Sequence, residues 1–287
     1  MKLIRFGEFG SEKPGIQTSE GVNLDCSSFG EDWNEAFFAK DGLARLSAWL
    51  KTNQNQLKEI PAGSRIGSPI SRPSKIICIG LNYRKHAEEA GMAVPEVPII
   101  FMKATSSLCG PYDPIFIPRN SVKTDWEVEL AVVIGKRAKY VKKENAYEYI
   151  AGYCLHNDVS ERDFQLHHGG QWVKGKSADH FAPLGPTLVT KDEIPDPHNL
   201  RLWLKLNGKI LQDSNTSDLI FDIPTLIEHL SQYMTLLPGD VISTGTPAGV
   251  GMGLKPNPRY LEYGDIVELG IEGLGISRQV ALKDPEA

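Results

Sequence analysis

The run DWEVELAVVIG, residues 125–135, places two glutamates inside a segment that otherwise reads as a buried β-strand. Successive side chains of a strand point to opposite faces, so Glu127 and Glu129 share one face while Val128 and Leu130 share the other. At the edge of a sheet the two carboxylates would face solvent and need no further account. Inside a sheet they would repel each other and lose their hydration, and a cation such as a metal ion would be needed to hold both ionised. The rest of the chain has to decide between these two placements.

Strand signals dominate beyond residue 75. KIICIG and PIIFMK are apolar and β-branched, and RLWLKLNGKILQD alternates around Asn207-Gly208, a pair that tolerates the positive φ of a tight hairpin turn. The turns LPGD and YGD each lead into a further strand, VISTG and IVELGI. Helical patterns are fewer: YRKHAEEAG, ENAYEYIAGY, and DIPTLIEHLSQYM with Asp222 as its N-cap. This is not the regular alternation of a doubly wound sheet, and the class it predicts is β-rich α+β.

Residues 1–70 read as a small N-terminal α/β domain. Short strands at KLIRF and GVNLD precede GLARLSAWLKTNQNQL, in which Leu43, Leu46, Trp49 and Leu50 fall on one helical face. Residues 61–74, rich in Pro, Gly and Ser, read as a linker or docking loop, and residues 72–282 as the larger domain. A net charge of -5 over 287 residues gives no electrostatic case for nucleic acid or an anionic membrane, which leaves a small molecule as the expected partner. The start has no apolar stretch of signal-peptide length and no run approaches the ~20 apolar residues of a membrane span, so a cytoplasmic protein is expected. Cys26, Cys78, Cys109 and Cys154 are widely spaced, as buried free thiols are.

Two carboxylates under-supply a metal. YCLHNDVSERDFQ offers Asp158 as a third ligand where a strand turns polar, although spacing alone favours a simple cap of the turn through NDVS. Three hard oxygen ligands suit Mg²⁺ or Mn²⁺, and no Cys/His cluster argues for zinc. Lys174 and Lys176 in VKGKSADHFAPLGP could balance carboxylate charge or receive a developing oxyanion, or be solvated surface charges. His86 and Glu89, three apart on a short helix, have the spacing of a general base and the carboxylate that orients it, a spacing that exposed helices also carry without any role. The loop TGTPAGVGMG is no dinucleotide site, because LKPNPRY rather than a helix follows it, but its backbone N–H groups could take a substrate carboxylate. His167 and His168, beside two glycines, read as loop residues.

GLNYRKHAEE, DWEVELAVVIG, NDVSERDFQ, KGKSADHFAPLGP and TGTPAGVG stand in the order and spacing of the fumarylacetoacetate hydrolase family, which residues 72–282 strongly resemble. The resemblance implies a mixed β-sheet roll, with Glu127, Glu129 and Asp158 as ligands of a divalent metal, Mg²⁺ usually and Mn²⁺ as the alternative. It implies substrate contacts for Gln165, Lys176 and Thr246, a His86/Glu89 dyad that activates water on a lid helix, and a homodimer. Ala104, where many members have proline, and His180, where some have threonine, are departures expected to touch substrate fit.

The nearest resemblance is to bacterial hydrolases of 2,4-diketo-3-deoxy sugar acids, a group often labelled ureidoglycolate lyase or hydroxyheptadienedioate isomerase. The implied activity is hydrolysis of a C–C bond in a 2,4-dioxo acid to give pyruvate and an acid. Isomerisation or decarboxylation of a dicarboxylic oxo-acid, and non-catalytic binding of an oxo-acid, are the alternatives.

Overall fold

The computed structural model describes residues 1–287, and in it Val128–Ile134 is an interior strand, antiparallel to Ile150–Asn157 on one side and to Val241–Ser243 on the other. The edge placement is thereby excluded: Glu127 is 5% and Glu129 1% exposed. The chain is mixed α and β, rich in strand, as its alternating segments predict. The main sheet runs from Asn23–Asp25 through Lys13–Gln17, Lys2–Phe6, Leu188–Thr190, Ile150–Asn157, Val128–Ile134, Val241–Ser243 and Ile76–Gly80 to Ile99–Lys103. A second sheet orders Lys209–Asn215, Arg201–Leu206, Ile266–Ile271, Gly275–Lys283 and Ile115–Ile117. At its hairpin Asn207 and Gly208 have φ of 49° and 81°, the left-handed conformation that such a turn demands.

Alternation along Val128–Ile134 divides the core. Val128, Leu130, Val132 and Ile134 pack with Leu202, Leu204 and Leu269 of the second sheet and with Leu226 and Leu230 of helix Ile223–Tyr233. Ala131 and Val133 join Cys78, Cys154, Trp33, Phe37 and Leu46. Glu127 and Glu129 continue that second row, on the face that the N-terminal segment covers.

Strand Lys2–Phe6 pairs with Leu188–Thr190, so the first seventy residues share the main sheet. Helix Gly42–Asn53 buries Leu46 and Leu50 and rests Leu43 and Trp49 partly buried on the same core. Residues 61–74 are more ordered than a linker: Ile66–Gly67 pairs with Arg5 and Phe6, and Ile70 is fully buried. Asp222 caps its helix by accepting from Thr225 N at 2.8 Å. ENAYEYIAGY departs from expectation, with a 3-10 helix over Lys143–Tyr149 and a strand starting at Ile150. The eight residues of that strand are all buried between two partners, and sheet pairing there outweighs a weak helical pattern. All four cysteines are buried free thiols. No helix is long and apolar enough to cross a membrane.

Candidate metal centre and active site

Glu127 leads into the central strand, Glu129 lies on it opposite His156 of the neighbouring strand, and Asp158 follows the end of that neighbour. Asp158 N donates to Glu127 O at 2.9 Å, which ties the two segments together where the acids meet. One ligand oxygen from each of Glu127, Glu129 and Asp158 falls within 4.8 Å of the others, and all three residues are buried.

Cations account for two of these acids. Lys176 Nζ donates to Glu127 Oε2 at 2.9 Å and to Asp158 Oδ2 at 2.8 Å. Lys103 Nζ donates to Asp158 Oδ1 at 2.5 Å and to Val159 O at 2.9 Å. Arg162 Nε binds Asp125 Oδ2 at 2.8 Å, and its Nη2 lies 2.7 Å from Glu127 Oε1, aligned as an ion pair rather than a hydrogen bond. Burial alone would raise the Asp158 pKa, but Lys103 and Lys176 outweigh it and hold the carboxyl well below the usual range. Burial works against the Lys176 ammonium as well, and Asp158 and Glu127 reverse that effect and raise its pKa.

Glu129 is different. Its hydrogen bonds both fall on Oε2, from Ser243 Oγ at 2.5 Å and Gly245 N at 2.9 Å. Burial, then the charges of Asp158 and Glu127, push its pKa well above the usual range. Counting Asp125 and Arg162 with this cluster, four carboxylates face three cations, and the one negative charge left unmatched falls at Glu129, whose Oε1 has no protein donor. A divalent cation among the three acids would offset that charge and leave one positive charge for an anionic ligand, and three oxygen ligands suit a hard ion. Behind Ser243 stands His156, whose Nδ1 lies 2.6 Å from Ser243 Oγ; burial keeps the ring uncharged, its pKa pushed down to about 3.

The second half of the site sits on helix Arg84–Glu89. His86 Nδ1 lies 3.2 Å from Glu89 Oε2, and Glu89 also receives Gly249 N at 3.0 Å. Gly253 passes so close that a Cβ there would lie 2.6 Å from Glu89 Cδ. Asn82, just before the helix, donates to Thr244 O at 2.8 Å. The glycine-rich loop therefore reaches both halves, with Gly245 N on Glu129 and Gly249 N on Glu89. Tyr83 is fully buried and its hydroxyl has no protein partner. Burial first, then the charge of Glu129, raises its pKa well above the ordinary value.

Gln165, on helix Arg162–His167, accepts from Arg162 Nη1 at 3.1 Å. Gly175 lies against that helix, where a Cβ would come within 2.5 Å of Gln165 N, and this close approach seats Lys176. The Thr246 hydroxyl donates to Val128 O at 3.0 Å and accepts from Gln212 Nε2 at 2.9 Å. Its proton is thus committed to the strand, while the Thr246 N–H donates to no protein acceptor. Lys174 and His168 are exposed, Lys174 donating to His168 O at 2.7 Å. His180 donates through Nδ1 to Pro114 O, 2.8 Å away, and stacks on Phe116; Ala104 N donates to Ser177 Oγ at 2.8 Å.

Sequence reasoning missed Lys103, Asp125, Arg162, Ser243 and His156. Lys103 carries a usable signal, a lone charge closing the apolar strand Ile99–Lys103. Ser243 carries none, because its role depends on which strand lies beside Val128–Ile134.

Residues 75–281 match the fumarylacetoacetate (FAA) hydrolase C-terminal family. A relative from Burkholderia multivorans, named a hydrolase without a stated substrate, is 53% identical over 280 residues, 98% of each chain. Among solved structures, fumarylacetoacetate hydrolase from the psychrophile Exiguobacterium antarcticum is 34% identical with a TM-score of 0.86, covering 99% of this chain and 100% of the other. Maleylpyruvate hydrolase from Sphingobium sp. SYK-6, in complex with manganese(II) and pyruvate, is 29% identical with a TM-score of 0.81 over 99% of each chain. The 2-hydroxyhepta-2,4-diene-1,7-dioate isomerase of Mycobacterium marinum is 31% identical with a TM-score of 0.72, again over 99% of each.

Proposed function

The chain belongs to the fumarylacetoacetate hydrolase family, and from that premise we propose that it hydrolyses the C3–C4 bond of a 2,4-dioxo acid, such as a 2,4-diketo-3-deoxy sugar acid or an acylpyruvate, to pyruvate and an acid. The observation that carries this reading is the buried triad Glu127, Glu129 and Asp158, with Glu129 Oε1 free of protein donors. These three residues would hold Mg²⁺ or Mn²⁺. Bound there, the cation would supply Lewis-acid polarisation of the substrate 2-oxo group and offset the charge that develops on pyruvate as it leaves.

The chain's own groups supply the remainder. With Nδ1 donating to Glu89, His86 keeps a lone pair on Nε2 and takes a proton from water. The hydroxide adds to C4. The C3–C4 bond then breaks with its electron pair going to C3, and His86 returns the proton to C3. Lys176 has two protons engaged by Glu127 and Asp158 and one left for oxyanion charge. Thr246 N–H and the buried Gln165 would hold the substrate, and Glu89, fixed by Gly249 N, keeps the imidazole oriented.

A second reading, isomerisation or decarboxylation of a dicarboxylic oxo-acid, draws support from the Mycobacterium marinum neighbour. Turnover in H₂¹⁸O separates the two. Hydrolysis at C4 puts one label into the carboxylate of the acid fragment, and a product set without that labelled acid would refute it.

A further inference from the structure

Glu129 is held by neutral donors alone, and those donors have a support of their own. Ser243 Oγ lies 2.5 Å from Glu129 Oε2, and His156 Nδ1 lies 2.6 Å from the same Oγ. The chain of three crosses three strands, since Glu129 stands opposite His156 and Ala131, two residues on, stands opposite Ser243. A hydroxyl has one proton to give. With Glu129 ionised, as ligation of a metal requires, that proton belongs to Oε2, so Ser243 Oγ accepts from the ring and His156 carries its proton on Nδ1. Nε2 then holds a lone pair, and no protein donor meets it.

We infer that His156 is a positioning residue for the metal ligand Glu129: its Nδ1–H fixes the Ser243 hydroxyl, which binds Oε2 and leaves Oε1 without a protein donor. An apolar side chain at position 156 would fill the same space without that donor. Ser243 would then be free to rotate, and Glu129 would lose the direction of its strongest neutral hydrogen bond. Outer partners of this kind typically change metal affinity by about 10–100-fold. The inference rests on the reading of Glu127, Glu129 and Asp158 as metal ligands.

The test is Mn²⁺ affinity by calorimetry and by the Mn²⁺ electron paramagnetic resonance signal, on the full chain, with thermal unfolding in chelator as a check of the fold. His156→Leu should weaken Mn²⁺ binding by about 10–100-fold. His156→Asn, whose amide N–H can take the place of Nδ1–H, should restore it to within about threefold of wild type. Ser243→Ala should lose at least as much as His156→Leu, and the double variant H156L/S243A no more than Ser243→Ala. Wild-type affinity in His156→Leu, no rescue by His156→Asn, or losses that multiply in the double variant would overturn the inference while leaving the metal reading intact. Should His156→Leu not fold, an unaltered affinity in Ser243→Ala overturns it. A wild-type chain that binds no Mn²⁺ defeats the metal reading and this inference with it.

Discussion

Glu129 shows how one side chain can state what a site lacks. A carboxylate 1% exposed, with no cation in contact and one oxygen without a donor, is costly to keep ionised. Glu129→Ala should therefore weaken Mn²⁺ binding by more than the roughly 10–100-fold expected for loss of a supporting residue, as measured by calorimetry, and abolish turnover with it. His86→Ala should leave Mn²⁺ affinity unchanged and reduce kcat by about 10²- to 10⁴-fold, a split that steady-state kinetics and calorimetry read together. Strand alternation made the shared face of Glu127 and Glu129 legible from their spacing alone. Asp158 was legible as a polar residue at a strand end, without any means of showing which strand it met. Lys103 and Arg162 were passed over because a charge in a sequence does not reveal that it will be buried against an acid 55 or 37 positions away.

Among the elements, the short helix Arg84–Glu89 depends on the glycine-rich loop, which donates Gly249 N to Glu89 and passes Gly253 beneath the same carboxylate. Gly253→Ala would meet the side-chain end of Glu89 rather than backbone, so the fold should tolerate it while the dyad shifts. The expected result is a kcat lower by up to about 10²-fold with Mn²⁺ affinity unchanged. Helix Ile223–Tyr233 carries a pH dependence of its own. Ile223 N donates to His198 Nε2 at 3.0 Å, and burial holds the His198 pKa below its ordinary 6.5. The unfolded chain then binds a proton that the folded chain resists, so stability should fall as pH drops below about 6.5. His198→Gln should flatten that part of the profile in denaturant titrations at pH 5–8. Asp222 was readable as the cap of this helix because Asp followed by an apolar period of 3.6 has a local meaning. The segment at ENAYEYIAGY was misread because the pairing that makes Ile150–Asn157 a strand comes from residues distant in sequence.

For the whole molecule, two sheets and an N-terminal segment enclose a charged cluster that no single element could bury. The family was legible because five motifs keep their order, and the match over residues 75–281 agrees with them. The sharing of the main sheet by the first seventy residues was not legible, since Lys2–Phe6 finds its partner at Leu188–Thr190. If the cluster holds a divalent cation, Mn²⁺ at 100 times its dissociation constant should stabilise the fold by about 2.7 kcal/mol, read as a rise in Tm that chelator reverses. The most direct test of the central claim is release of pyruvate from acylpyruvates and a 2,4-diketo-3-deoxy sugar acid, assayed with Mg²⁺ or Mn²⁺ and with chelator. Metal-dependent pyruvate, accompanied by one equivalent of the matching acid, is the predicted result. Pyruvate released equally well in chelator, or no pyruvate from any 2,4-dioxo acid, would contradict it.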